Sequence, residues 1–210
     1  PIVLENGNIL VAWRDKDGDH LGSSARIFEA DGTPLFQEFR LNENPVSVSI
    51  NAKMAELSDG KFVAVWQQGH GDGDEYSVDA RIYNTDGSFA EDEFQVNDFT
   101  AGQQQQPSIV SLQDGGFAVA FQSEGQDGNG IGIYLKLYDG FGQATSDEIQ
   151  VNTTTVGNQL FAGSAAVKSL DILPSGELVV VWQSDDSGNY DIYAQKFNAD
   201  GTKVGDEYLV

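Results

Sequence analysis

Short, almost continuously apolar segments alternate with glycine-containing polar turns along the chain, and one segment type occurs four times. In each copy an aromatic residue lies six positions after a glycine, at residues 7–13, 60–66, 115–121 and 176–182. Apolar runs of this length between turn residues are typical of β-strands that are covered on both faces. The pattern therefore predicts an all-β protein with an internal repeat.

A second block follows each apolar run and has its own fixed spacing. It contains a turn glycine and, six residues later, a glutamate, in the pairs Gly32/Glu38, Gly87/Glu93, Gly142/Glu148 and Gly201/Glu207. The turn glycines lie 55, 55 and 59 residues apart. Spacing this regular indicates tandem copies. We divide the single repeat domain, residues 1–210, into copies at 1–42, 43–97, 98–152 and 153–210.

Each copy is predicted to form four antiparallel strands, A to D. Strand A is a short apolar piece such as residues 108–112, strand B is the apolar run, and Asp-Gly pairs such as Asp59-Gly60 favour a tight hairpin between them. Strands C and D flank the second turn glycine. A four-stranded unit of about 55 residues fits a β-propeller blade, so we expect a β-propeller-like fold. A β-solenoid or a row of small sandwiches is the alternative, although a sandwich unit usually needs more residues. The repeats allow either four blades that close on themselves or a slice of a longer array.

Composition narrows the classes of partner. Acidic residues outnumber basic ones by 33 to 11, and the formal charge of −22 disfavours nucleic acid and anionic membranes while it favours cations. The chain has no cysteine and no apolar run long enough to span a bilayer, so we expect no disulfide, no thiolate metal site and no membrane insertion. It opens with Pro1 and without a leader pattern, which suggests a piece of a longer precursor.

The fourth copy carries the most distinctive motif. It reads VWQS at residues 181–184 and DIYAQKF at 191–197, followed by Asp200-Gly201. This motif resembles a repeat of very large bacterial extracellular proteins, namely type I-secreted adhesins and related RTX-containing polypeptides. The resemblance covers nearly the whole chain, because the other copies carry weaker forms of the motif. It implies secretion or cell-surface residence and calcium in the surroundings, but the glycine-rich nonapeptide calcium motif of RTX proteins is absent.

The loops between strands B and C are the most acidic segments and are the candidate metal sites. Calcium binds six to eight oxygen ligands from flexible, glycine-containing loops. Solvated turns of an acidic protein are the alternative interpretation, and the loop at residues 15–19 lacks the ligand spacing of an EF-hand. The predicted calcium ligands are Asp15, Asp17, Asp19, Asp72, Asp74, Asp127, Asn129, Asp185, Asp186 and Asp191.

Two further rows of residues recur once per copy. The glutamates Glu38, Glu93, Glu148 and Glu207 share one position, and Arg26, Arg81, Lys136 and Gln195 share another in strand C. A catalytic residue is rarely needed four times, so we expect structural roles and a cross-strand contact between the rows. The two histidines, His20 and His70, occupy unrelated positions and do not indicate a zinc site. No pair of carboxylates stands out as a glycosidase pair.

The B–C loops and the linkers from D to the next A are expected to share one face of a propeller. That face is predicted to combine amides, carboxylates and aromatic rings, with Tyr76, Gln105, Phe161 and Tyr190 as ligand-binding residues. The sequence thus favours a non-catalytic extracellular module for adhesion or structural spacing, for which we expect stabilisation by calcium and assembly with further repeats or chains. A lectin-like module that binds a glycan is the first alternative, and a polysaccharide-cleaving enzyme is the second.

Overall fold

The structure, a computed structural model, describes residues 1–17, 20–43, 48–69, 72–161, 168–186 and 188–210, without the side chains of residues 17, 20 and 21. Its strands form four consecutive antiparallel sheets, which we call blades 1 to 4. Blade 1 contains β1 (Ile2–Val3), β2 (Ile9–Asp17), β3 (His20–Phe28) and β4 (Phe39–Arg40). Blade 2 contains β5 (Ser49–Glu56), β6 (Phe62–Gly69), β7 (Tyr76–Tyr83) and β8 (Phe94–Gln95).

Blades 3 and 4 continue the same order. Blade 3 contains β9 (Gln104–Ser111), β10 (Phe117–Glu124), β11 (Ile131–Tyr138) and β12 (Ile149–Gln150). Blade 4 contains β13 (Gln159–Leu160), β14 (Leu170–Ile172), β15 (Leu178–Ser184), β16 (Asp191–Phe197) and β17 (Lys203–Leu209). In blade 4 both β13 and β14 pair with β15, so together they take the place of strand A. Each repeat thus forms an up-and-down sheet in the order A-B-C-D, which confirms the predicted propeller-like, all-β fold.

Asp-Gly turns join strands A and B where the sequence predicted them. Gly60 adopts a φ of 82°, a left-handed conformation that L-residues rarely take, and the Asp59 carboxylate accepts the backbone N–H of Lys61 at 3.1 Å. Gly115 repeats the turn in blade 3 with a φ of 94°. These turns reverse the chain tightly enough to place the apolar B strands beside the A strands.

Strand A is longer than predicted, because a bulge carries it past residues that the sequence assigns to a linker. In β9 the register shifts so that Gln106 and Pro107 together lie opposite Phe121, and Gln106 has a φ of 52°. Asn51 and Ala52 form the matching bulge opposite Trp66, and Asn51 has a φ of 60°. A bulge accommodates an extra residue, so Pro107, which has no N–H to donate, does not end the strand.

The hydrophobic core lies between the blades and consists of three clusters. One joins blades 1 and 2, the second joins blades 2 and 3, and the third joins blades 3 and 4. The B-strand aromatics Trp66, Phe121 and Trp182 each lie in one cluster, between their own blade and the preceding one. We call each such interface a joint. Every residue of β6 is buried, as expected for a strand covered on both faces.

Candidate functional site: the loop face

The B–C loops and the D–A linkers meet on one face of the molecule, which we call the loop face. In blade 2 the Asp72 carboxylate accepts a hydrogen bond from the Asn97 side chain at 3.1 Å, and the Asp74 carboxylate accepts the Gly102 N–H at 3.0 Å. Asp72 and Asp74 belong to the B–C loop, whereas Asn97 and Gly102 belong to the linker that leads to blade 3. The acidic loops therefore act as acceptors for the neighbouring linkers.

A buried asparagine organises each described linker. The side-chain oxygen of Asn97 accepts the Val78 N–H at 2.8 Å, while its amide nitrogen donates to Asp72, to the Phe99 carbonyl and to the Gln104 side chain. Both Asn97 and Gln104 are fully buried. Because a buried amide must be satisfied on all sides, this network fixes the linker against the start of strand C.

The same network recurs one repeat later. Asn152 accepts the Ile133 N–H at 2.8 Å and donates to Asp127, to the Thr154 carbonyl and to Gln159. Asp72 and Asp127 both precede their asparagine by 25 residues. Sequence reasoning missed the roles of the asparagines and glutamines, although this constant spacing could have revealed them. Asp17 stands 25 residues before Asn42, but its side chain lies outside the described residues.

The remaining predicted metal ligands lie in separate loops. The carboxylate of Asp185 accepts both the backbone N–H of Asn158, at 2.6 Å, and its side-chain amide, at 3.1 Å, and these bonds hold the pKa of Asp185 below its usual range. In blade 1 the Asp15 carboxylate accepts the Ser24 hydroxyl at 3.3 Å. Asn129 is exposed, whereas Asp186 and Asp191 are half-buried. Asp19 lies outside the described residues, as do the side chains of Asp17 and His20 and all of His70.

These carboxylates are spread out rather than convergent. In the described part of the chain, no group of three or more His, Asp or Glu side chains is arranged to hold a metal ion. The described acids of the B–C loops instead accept protein hydrogen bonds, as Asp72, Asp127 and Asp185 do. Calcium binding by the B–C loops stays a prediction.

The four predicted ligand-binding residues do not form one site. Tyr190 is 62% exposed and Tyr76 is half-buried beside Gln103. Gln105 lies within β9, paired with Gln122, instead of in a linker. Phe161 is only 6% exposed because it packs into the core between blades 3 and 4, so its assignment to a ligand surface was wrong. Of these four residues, Tyr190 alone is largely exposed.

The recurring glutamates connect neighbouring blades. The carboxylate of Glu93 accepts the backbone N–H of Glu43, Glu148 accepts that of Asp98 at 2.5 Å, and Glu207 accepts that of Thr153 at 2.6 Å. Each donor is the first residue of the linker that leaves the preceding blade. The predicted structural role is therefore supported by geometry. These bonds, however, reach a linker of the preceding blade, whereas the sequence predicted a contact with the row of Arg26, Arg81, Lys136 and Gln195, which we call the basic row.

The basic row holds the same linkers from a second direction. The Arg81 guanidinium lies 2.7 Å from the Glu43 carboxylate, and the Lys136 ammonium lies 2.6 Å from that of Asp98. The Arg81 side chain is 2% exposed, and its guanidinium carbon lies 4.0 Å from the centre of the Phe89 ring. At the third joint, Thr153 and Gln195 replace the acid and the base. The first linker residue and the strand C residue thus change together from charged to neutral.

One buried acid breaks the repeat. Asp79 occupies a position that is Ser24, Tyr134 or Tyr193 in the other copies, and it is 7% exposed. Burial raises its pKa to about 7, and the nearby charges of Glu93 and Asp72 add to the effect, while a hydrogen bond from Ser77 opposes it. Burial also raises the pKa of Glu93. Asp79 is therefore a buried acid whose pKa lies near neutral pH.

A cavity of about 680 Å³ lies where strand A of all four blades converges. Its lining is mainly aliphatic, with Lys53, Glu56 and Lys168 as charged residues. Burial lowers the pKa of Lys53 and raises that of Glu56, and Lys168 forms an ion pair with Asp171 at 2.7 Å. Sequence reasoning did not predict this axial cavity.

The comparisons with known proteins define the fold but not a family. No family model matches the sequence, and no curated protein does. Among solved structures, an α-L-arabinofuranosidase from Fusarium graminearum superimposes with a TM-score of 0.63 at 10% identity, over 100% of this chain and 65% of that one. The predicted resemblance to secreted RTX-type proteins thus gains no support from these comparisons.

Two further structures show the same fold. A Hadza microbial sialidase matches with a TM-score of 0.56 at 10% identity, over 90% of this chain and 44% of that one. A protein of unknown function from Dyadobacter fermentans matches with a TM-score of 0.56 at 12% identity, over 80% of this chain and 56% of that one. The chain spans less than two thirds of the length of each of these three proteins. The described residues contain no helix long and apolar enough to cross a membrane.

Proposed function

We propose that this chain is a non-catalytic, extracellular repeat module that acts in adhesion or as a structural spacer. The observation that carries the proposal is the use of the acidic residues. Asp72, Asp127 and Asp185 accept hydrogen bonds from linkers, and Glu93 and Glu148 accept linker N–H groups across the joints. Residues that fix the scaffold in successive blades serve the stability of an array, which is the role we propose for them.

The extracellular location rests on composition and on the resemblance of the fourth copy. An acidic chain without cysteine, with a motif similar to that of type I-secreted surface proteins, fits a secreted or cell-surface module. Calcium binding by the loop that holds Asp15, Asp17 and Asp19 belongs to the same proposal. The high negative charge favours a cation there, because neighbouring carboxylates repel one another when they are ionised.

A glycan-binding role is the second candidate, and the fold comparisons favour it. The similar structures include an arabinofuranosidase solved with arabinobiose, with a TM-score of 0.61 at 9% identity, and a sialidase. On this chain the exposed ring of Tyr190 beside the half-buried Asp191 offers a stacking surface next to a hydrogen-bond acceptor. Sugar recognition commonly combines such groups on a preformed surface.

One experiment separates these functions. The purified chain is tested on a glycan array with and without calcium, and it is incubated with arabinan and with aryl glycosides of arabinose and sialic acid. We expect no turnover. Binding that Tyr190→Ala abolishes would favour the glycan-binding role, whereas turnover that is lost in Asp79→Asn or Glu93→Gln would overturn the non-catalytic proposal.

A further inference from the structure

Each terminal blade presents one β-face that no other blade covers in the described part of the chain. The three hydrophobic clusters join blade 1 to 2, 2 to 3 and 3 to 4, and none of them joins blade 4 to blade 1. Residue positions that are fully buried in blades 2 and 3 are consequently half-exposed at the two ends. Apolar residues on these two faces thus lack the partner blade that covers them at the internal joints.

The first of these, which we call the head face, is the side of blade 1 that points away from blade 2. Its apolar residues are Ile9, Val11, Trp13 and Phe28, and all four are half-buried. Their counterparts in blade 2 are Phe62, Ala64, Trp66 and Tyr83, and all four are fully buried against blade 1. The head face is therefore built like the side of a blade that receives a preceding blade.

The second, the tail face, is the side of blade 4 that points away from blade 3. It carries Val179, Val181, Ile192, Tyr208 and Val210, of which Tyr208 is 45% and Val210 76% exposed. Their counterparts in blade 3 are Ala118, Ala120, Ile133, Ile149 and Val151, and these pack against blade 4. Each end thus presents the half of a joint that the other end lacks.

A turn glycine shows how closely the two halves fit. A Cβ added to Gly87 would lie 2.4 Å from the Phe39 ring of the preceding blade, and one added to Gly142 would lie 2.8 Å from Phe94. Around Gly32, the matching position of blade 1, nothing lies within 4 Å. Tyr208 occupies the position of Phe39 and Phe94 in blade 4, so the open space at Gly32 matches the exposed ring at the other end.

The charges of the two faces are complementary as well. Lys196 on the tail face replaces the apolar residue found at Ile82 and Leu137. A Cβ on Gly201 would lie 3.1 Å from Leu137, so in a joint of the same geometry Lys196 would lie against the turn around Gly32. That turn carries Asp31 and Glu29, and the Glu29 position is Asn84, Asp139 and Asn198 in the other blades. Lys196 lies 3.3 Å from the Glu177 carboxylate of its own blade, and in the joint its positive charge would also face these two acids.

We propose that the tail face of one copy of this chain packs on the head face of a second copy, in the geometry of the three internal joints. The contact is heterologous, because the two faces differ, and such contacts form a ring when the rotation closes and an open chain when it does not. Two copies that close on each other would form eight blades, which is within the range of known propellers. Continuity with three existing joints and charge complementarity both support a second copy as the partner.

The test is the oligomeric state measured by light scattering and analytical ultracentrifugation. The wild-type chain should associate with increasing concentration, and Val11→Glu on the head face or Val181→Glu on the tail face should each give a monomer. An equimolar mixture of the two variants should give a dimer, because one supplies an intact tail and the other an intact head. Each variant would bury the unpaired charge of its glutamate in the joint, so we expect it to weaken association at least tenfold.

Matched controls keep the result interpretable. Phe141→Glu places the same charge on a residue that is 65% exposed outside both faces, and it should leave association unchanged. Val11→Lys and Val181→Lys repeat the two blocks with the opposite charge, and circular dichroism should show that all variants fold. A wild-type chain that stays monomeric at about 100 μM, or a mixture of the two blocked variants that does not associate, overturns the proposal.

Discussion

The guanidinium of Arg81 lies 2.7 Å from the carboxylate of Glu43, although the two residues belong to different blades. The Arg81 side chain is 2% exposed and that of Glu43 is 72% exposed, so the two partners contribute unequally. We expect Arg81→Ala to lower the free energy of unfolding by about 2 kcal/mol or more, mainly through lost packing against Phe89. Glu43→Gln should cost less than about 1 kcal/mol, because exposed ion pairs contribute little.

Urea denaturation measures both effects, and blade 1 supplies the matched control. Arg26 occupies the position of Arg81, but it is half-buried and donates only to the Phe36 carbonyl among its described contacts. Arg26→Ala should therefore change stability by clearly less than Arg81→Ala. Equal losses of unfolding free energy in the two variants would show that the contact between blades adds no stability at this position.

The glutamate row gives a second prediction with an internal control. Glu148 accepts the Asp98 N–H and the Gln126 side chain, each at 2.5 Å, across and within blade 3. Glu148→Ala removes an acceptor from a backbone donor, which costs about 1–3 kcal/mol when the donor cannot be resatisfied. Glu38, at the same position in blade 1, is exposed, so Glu38→Ala should leave the denaturation midpoint almost unchanged. A midpoint that falls equally in both variants would contradict the cross-joint role of the row.

Asp79 makes stability depend on pH in a defined direction. Its pKa is raised from 3.8 to about 7 in the folded state, so between these values the folded chain binds a proton that the unfolded chain has released. Stability should therefore fall as pH rises from about 4 to about 7, by at most about 4 kcal/mol. Asp79→Asn keeps an acceptor for the Ser77 hydroxyl and removes this loss, so it should raise the melting temperature at pH 8 but not at pH 4.

Asp86 provides a control of opposite sign. Hydrogen bonds from Ser88 lower the pKa of this exposed carboxyl, so its ionised form favours the folded state. Asp86→Asn should therefore give no gain at pH 8. Scanning calorimetry of both variants across pH 4 to 8 decides the point, and a wild-type stability that is flat over this range would rule out a buried ionisable Asp79.

Calcium should stabilise the chain if the acidic loop of blade 1 binds it. A ligand that binds only the folded state at a hundredfold excess over its Kd adds about 2.7 kcal/mol. Millimolar calcium should then raise the melting temperature, and Asp15→Asn combined with Asp17→Asn should remove the increase. An unchanged melting temperature for the wild type would leave the loop as an ordinary solvated turn.

The repeat itself could be predicted from sequence because its signals are local. Strand B is apolar throughout and follows an Asp-Gly turn, so its ends and its double-sided burial can be inferred from a few neighbouring residues, as in β6. Strand A could not be bounded correctly, because the bulge at Gln106 and Pro107 depends on the partner strand. Propensity alone reads a glutamine run before proline as a linker.

The contacts between blades could not be predicted from the sequence for a different reason. Glu93 and the Glu43 N–H are 50 residues apart, and the sequence marks the position of the glutamate without naming its partner. Phe161 was misplaced because it follows β13 in a connection that is longer than its counterparts, so its burial follows only from the packing of blades 3 and 4. A constant spacing, such as that from Asp72 to Asn97, is the signal that does survive in sequence.

Because the hydrophobic core lies between blades, the sequence unit that repeats is not the unit that forms a complete core. The copied unit contains one complete sheet, but Val63 and Val65 on one side of β6 and Phe62 and Trp66 on the other belong to different hydrophobic clusters. Gene duplication therefore multiplies a piece that holds two half-cores and no whole one. A single excised copy should not fold, and growth or loss of the array must proceed by adding or removing a neighbour that completes a half-core.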